Sequence, residues 1–227
     1  MRSARSLRAL VLAQLPLKLG LTMALLAGVS LAYFGVQQIH WTAPLAVPAT
    51  WLDRAVPFDP RWTAVYLSLY LLMPLLPWLS TDRALLLRYG WGFAAVAAVS
   101  CLLFVLLPVE SPRPAALPEH RLYQLLTRMD GVRNAFPSLH ASLAAYSWLY
   151  GRRLLATAPA ALRLVVLGGG GLWVLAIGYA TLATRQHWAV DLVAGALLAW
   201  GCEFWVAHTG KQTAASKLFA IPRRETP

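Results

Sequence analysis

Six apolar runs, near residues 18–36, 62–80, 89–108, 137–150, 162–183 and 187–208, leave this chain few ways to fold. Crossing a bilayer takes about 20 mostly apolar residues, and only the fourth run is short, leaning on its flanks. The composition agrees: 59% of residues are hydrophobic and 13% charged, where a soluble domain carries about 25% charged residues. Mean hydropathy is +0.56. Lipid is the solvent for such a chain. The predicted fold class is all-α, an integral membrane bundle of about six transmembrane helices.

The 20 Lys and Arg against 9 Asp and Glu give a net charge of +11. They punctuate the apolar runs and form no stripe with interleaved aromatics, so nucleic acid is not an expected partner. They set an orientation instead. With the N-terminus in the cytoplasm, thirteen of the 20 fall on the inner side, among them Arg2, Arg5, Arg8, Lys18, Arg152 and Arg153. Both termini are therefore expected inside a cytoplasmic (inner) membrane. The first run follows a basic segment but has no clear cleavage site, so it reads as a retained signal-anchor. No repeat or soluble-sized segment appears. The expected organisation is a basic cytoplasmic N-terminus (1–17), one six-span catalytic domain (18–208) and a basic cytoplasmic tail (209–227), expected to be disordered. Cys101 and Cys202 lie inside apolar runs and suggest neither a disulfide nor a zinc site.

The longest hydrophilic connection, 109–135, falls on the outer side in this topology. Pro112, Pro114 and Pro118 keep its first part irregular, and 119–129 is expected to form a short interfacial helix. "FPSLHAS" (136–142) follows. Pro137 suits a first helical turn, which puts Ser138 and His140 at a helix N-terminus, where unpaired N–H groups and the dipole favour an anion. In "TRQHWAVDLVAG" (184–195), His187 and Asp191 are four apart and share one helix face. By span parity this helix also starts at the outer side. An Asp–His pair fixes a tautomer and leaves the other nitrogen as base or nucleophile. Arg113 and Arg185 supply forked donors suited to phosphate. The set fits phosphoryl transfer, one His attacking phosphorus and the other protonating the leaving oxygen.

His-x3-Asp can also ligate zinc or iron, but further ligands are not obvious and neighbouring arginines repel a cation. No metal and no cofactor are expected. His40, His120 and His208 are expected to be structural or solvated, and "GGGG" (168–171) to serve close helix packing.

"SPRP" (111–114), "FPSLHAS" and "TRQHWAVDLVAG" together resemble the three signature motifs of the type-2 phosphatidic acid phosphatase superfamily, over roughly residues 56–208. "VPFDPRWTAVYLSLYLLMPLLPW" (56–78) and the run Arg185-Gln186-His187-Trp188 are similar to the branch that contains the inositol phosphorylceramide synthases. The resemblance implies a metal-independent phosphohistidine mechanism. His187 would be the nucleophile, Asp191 its orienting partner, His140 the general acid, and Arg113 and Ser138 phosphate ligands. Arg185 would replace a missing arginine or meet a lipid head group. The chain departs from the phosphatase motifs at Leu106 (lysine there), Leu139 (glycine) and Thr181 (arginine). The expectation is an enzyme at the outer leaflet that moves a phosphate or phospho-head-group of a phospholipid or lipid phosphate to a lipid alcohol or to water. Plain hydrolysis of phosphatidate or isoprenoid phosphates, a metal-dependent hydrolase, and a non-catalytic head-group binder or transporter stay open beside it.

Overall fold

The structure, a computed structural model, describes residues 7–218 apart from the side chains of 210–218. Arg2, Arg5 and residues 219–227 lie outside the described residues, while the first part of the tail expected to be disordered, 209–218, continues the last helix. Among the described residues ten α-helices follow one another: α1 (Leu7–Leu12), α2 (Leu15–Val36), α3 (Trp51–Ala55), α4 (Thr63–Leu67), α5 (Leu69–Leu79), α6 (Arg83–Leu106), α7 (Arg121–Met129), α8 (Leu139–Leu154), α9 (Ala160–Ala183) and α10 (Ala189–Leu218). A 3-10 turn, Pro60–Trp62, leads into α4. Among the described residues there is no strand. Hydrocarbon offers the backbone no hydrogen-bond partner, so each apolar run closes its own bonds as a helix. Among the described residues five stretches are long and apolar enough to cross a membrane: Leu15–Val36, Pro60–Leu79, Arg83–Leu106, Ala160–Ala183 and Ala189–Thr209. The fold is the expected all-α membrane bundle.

The remaining expected span, α8, has 16 residues, about 24 Å at 1.5 Å per residue. It can be short because protein surrounds it. It packs against α5, α6, α9 and α10, and Leu143, Ala144, Tyr146, Ser147 and Tyr150 are buried. Tyr89 of α6 meets Tyr146 in a tilted contact and Tyr150 edge-on, with ring centroids 5.6 and 4.8 Å away. The phenols reach backbone oxygens, Tyr89 Oη to Met73 O at 2.8 Å and Tyr146 Oη to Arg88 O at 3.2 Å. This satisfies polar atoms that burial would otherwise penalise. The glycine run of α9 meets α8 at one end. Gly170 and Gly171 accept the Trp148 side chain of α8, while Gly168 and Gly169 face open space. A side chain, not a neighbouring backbone, uses the room.

Lys18 is buried near the start of α2 and donates to Leu10 O (2.6 Å) and Trp78 O (2.7 Å), satisfying carbonyls at the ends of α1 and α5. At the opposite pole, three loop segments run side by side. Leu45 N donates to Pro108 O (2.8 Å), Ser111 N to Val132 O (2.8 Å) and Ala135 N to Val109 O (3.2 Å). These bonds tie both ends of the 109–135 connection together. Its helix, α7, is capped by His120, whose Nδ1 accepts from Tyr123 N at 3.2 Å.

At Gly195, α10 crosses the start of α8 with backbone close to backbone. A Cβ at Gly195 would stand 2.6 Å from Ser138 O and 2.9 Å from Ser142 Oγ. Both belong to the first turn of α8, where Ser142 Oγ already donates to Ser138 O. The backbone there cannot yield cheaply, and overpacking of this kind costs about 1–3 kcal/mol. Gly195→Ala is expected to lower the thermal unfolding midpoint in detergent by several degrees and turnover at least tenfold. Gly201→Ala, on the same helix with nothing within 4 Å of its Cβ position, should match the wild type in both measurements.

Candidate active site

Two helix starts meet at this pole. Ser138 caps α8, its Oγ accepting from Ala141 N at 3.2 Å. Pro137 lies outside the first turn in which the sequence placed it, and the Phe136–Pro137 bond is cis. Ser138 N donates to Asp191 O at 3.0 Å, joining the α8 start to α10. His140 in the first turn of α8 and His187 just before α10 come together with ring centroids 6.2 Å apart.

The Nδ1 of His187 is 2.9 Å from Ala135 O. A carbonyl only accepts, so Nδ1 carries the proton and the lone pair of the neutral ring sits on Nε2. The expected pairing with Asp191 is looser than a hydrogen bond. Asp191 Oδ2 is 3.8 Å from His187 Nδ1, in ion-pair range, and accepts from Trp188 N at 2.7 Å. The carboxylate serves first as the cap of α10. Its Oδ1 is buried without a hydrogen-bond partner.

His140 has partners that sequence reasoning missed. Its Nδ1 is 2.9 Å from Tyr66 Oη, and Tyr66 Oη donates to Asp130 Oδ2 at 3.0 Å. Tyr33 of α2 donates to Asp130 Oδ1. Burial pushes the Asp130 carboxyl up to about 6, against the opposing pull of His187 and the Gly131 N–H. His140 Nε2 is buried with no partner. Asp130 lies in the 109–135 connection between the SPRP and FPSLHAS motifs, where Glu110 and Glu119 also fall, so nothing in the sequence singled it out.

Arg113 reaches the same place. Its Nε and Nη2 donate to Gln186 Oε1 at 3.0 and 2.7 Å, and its Nη1 to Asp130 O at 3.1 Å. Nη2 is 3.8 Å from Asp130 Oδ2. Burial draws the Arg113 guanidinium below its ordinary value. Arg185, expected to be a phosphate ligand, is turned elsewhere. Its backbone sits at φ 53°, a left-handed turn that aims the guanidinium at Asp53 O (2.7 Å) and Val56 O (3.0 Å). Asp53 in turn accepts from Ala189 N at 2.7 Å. Arg185 and Asp53 clamp α3 to the start of α10. Among the described residues no three His, Cys, Asp or Glu side chains gather to hold a metal ion. An apolar cavity of about 410 Å³ runs from Lys18 past Leu25, Val29, Met73 and Leu143 to His140 and Asp130.

The two arginines should separate on mutation. Arg185→Ala removes charge-assisted bonds worth about 1.5–3 kcal/mol each, so the unfolding midpoint should fall while inhibition by inorganic phosphate stays within about twofold. Arg113→Ala should instead weaken phosphate inhibition at least tenfold. Equal phosphate effects of the two would contradict this placement.

A family model described as the PAP2 superfamily matches residues 85–214. None of the curated proteins matches the chain. The matched segment is more than half of the 227 residues and contains Arg113, Ser138, His140, His187 and Asp191, so the chain belongs to the PAP2 superfamily, as a membrane-embedded phosphatase enzyme of that family.

Proposed function

We propose that the protein transfers a phosphate or phospho-head-group from a lipid through a phosphohistidine at His187. The observation that carries this reading is the pair of imidazoles at two helix starts, with centroids 6.2 Å apart and their Nδ1 atoms engaged on different partners. The lone pair of His187 Nε2 attacks phosphorus, the P–O bond to the leaving alcohol breaks, and protonated His140 gives that oxygen its proton. Water or a lipid alcohol then attacks the phosphohistidine, and neutral His140 takes the proton back. Arg113, the Ser138 hydroxyl and the free N–H groups of the α8 start carry the phosphoryl charge. A phosphate dianion outcompetes the neutral Gln186 amide oxygen for the Arg113 fork. Asp191 orients α10 and holds negative charge near His187.

The apolar cavity ending at His140 supports a lipid substrate, since an acyl or prenyl chain can stay in apolar surroundings while its head meets the histidines. The likeness of the Arg185–Trp188 run to the inositol phosphorylceramide synthase branch favours a lipid alcohol as acceptor. The charge distribution along the spans favours both termini in the cytoplasm and the site at the outer face of the inner membrane.

The test uses purified protein in detergent micelles with phosphatidate and with phosphatidylinositol, each with and without ceramide, following free phosphate and any new phospholipid. His187→Ala should abolish turnover and the covalent phosphoenzyme. His140→Ala should cost about 10²–10⁴-fold. Phosphate release independent of ceramide would shift the reading to plain hydrolysis. Lipid binding without turnover in the wild type would sink it.

A further inference from the structure

We infer that Tyr66 and Asp130 are positioning residues that set the tautomer of His140 and stabilise its imidazolium. The hydrogen-bond chain allows one polarity when Asp130 is ionised. A carboxylate only accepts, so the Tyr66 O–H proton goes to Asp130 Oδ2 at 3.0 Å. Tyr66 Oη then has only lone pairs to offer at 2.9 Å from His140 Nδ1. His140 must donate from Nδ1. When the ring is protonated, its second proton sits on Nε2, the buried nitrogen that no protein group meets.

The chain is rigid as well as directional. The rings of Tyr66 and His140 stack with centroids 3.9 Å apart and 32° between planes. Tyr66 is fully buried, and Tyr33 holds the other oxygen of Asp130. The groups facing Asp130 come from four places: Tyr33 on α2, Tyr66 on α4, Arg113 at 3.8 Å in the 109–135 connection, and His187 before α10. Arg113 and His187 favour its ionised form, in which the polarity above holds. Loss of that charge would let the chain invert, with Tyr66 donating to Nδ1 and His140 left neutral. Tyr33 and Tyr66 both precede the segment 85–214 matched by the family model, so this polar support comes from outside it.

The role of His140 as proton donor rests on the function proposed above; its tautomer does not. The experiment therefore reads both. His140 is observed by ¹⁵N-histidine NMR in detergent, its signals identified by their loss in His140→Gln. Turnover of phosphatidate in micelles is followed from pH 5 to 9. In the wild type His140 should be protonated at Nδ1 at neutral pH. Tyr66→Phe, which removes one oxygen, should release the ring to a mixture of tautomers and lower kcat at least tenfold with KM within about twofold. Asp130→Asn should move the alkaline limb of the pH profile to lower pH, because no carboxylate then holds the imidazolium. Asp130→Glu should restore part of the rate. The double variant should be no worse than the poorer single one, as members of one chain are not additive. An unchanged tautomer together with wild-type kcat and pH limb in Tyr66→Phe overturns the inference, and that variant decides alone if Asp130→Asn does not fold. A wild type that turns over neither phosphatidate nor phosphatidylinositol overturns the function reading, while the NMR result still decides the relay.

Discussion

The crossing of α8 and α10 at Ser138 and Gly195 governs the chemistry of this protein. Only a residue without a side chain lets the α10 backbone come so close to the first turn of α8. The bond from Ser138 N to Asp191 O then locks the register. The consequence is electrostatic. Each helix start carries roughly half a positive charge, and two such ends held side by side repel unless negative charge lies between them. Around α10 two carboxylates supply it, Asp191 at Trp188 N and Asp53 at Ala189 N. Around α8 the cap is the neutral Ser138 hydroxyl. The unbalanced end is the one beside His140, and that is where the proposed reading seats the phosphate.

The two histidines are distinguished by what holds their Nδ1 atoms. His187 faces a neutral backbone carbonyl, Ala135 O, with the Asp191 charge a further step away at 3.8 Å. That arrangement orients the Nε2 lone pair of the neutral ring, which the proposed reading uses for attack on phosphorus. His140 instead faces a phenol that donates its own proton to the Asp130 carboxylate, so its Nδ1 is engaged by a group with a charge behind it. Divergent environments of two like groups are how a site assigns acid and base roles. Here the division follows from one loop, 109–135, which delivers Ala135 to one ring and Asp130 to the other.

Much of this was legible in the sequence because it is local or periodic. Each apolar run coincides with a long helix or, at 62–80, with a broken pair, and the i, i+4 spacing put His187 and Asp191 on one face. Span parity brought His140 and His187 to one pole. What escaped was decided by contacts across long stretches of chain. Tyr66 meets His140 across 74 positions, and Arg113 meets Gln186 across 73. Asp53 reaches Ala189 across 136. No pattern within one helix announces such partners. Arg185 went astray for a backbone reason: its positive φ turns the side chain towards α3. Helix α8 was short in sequence because its flanks rest on protein, which relieves it of the lipid thickness.

The three departures from the phosphatase motifs now have places in the fold. Leu106 is 62% exposed at the end of α6, on a surface suited to lipid. Thr181 is buried and donates to Gly178 O at 2.7 Å, while its own carbonyl receives Gln186 N at 3.1 Å and so shapes the turn before His187. Leu139 opens α8 and lines the apolar cavity beside His140. With Leu106 and Thr181 uncharged and Arg185 spent on α3, Arg113 is the guanidinium left beside the histidines. In the proposed reading Arg113, the α8 start and a protonated His140 together carry the phosphoryl charge, and a leucine at the α8 start adds apolar contact for the lipid that bears it.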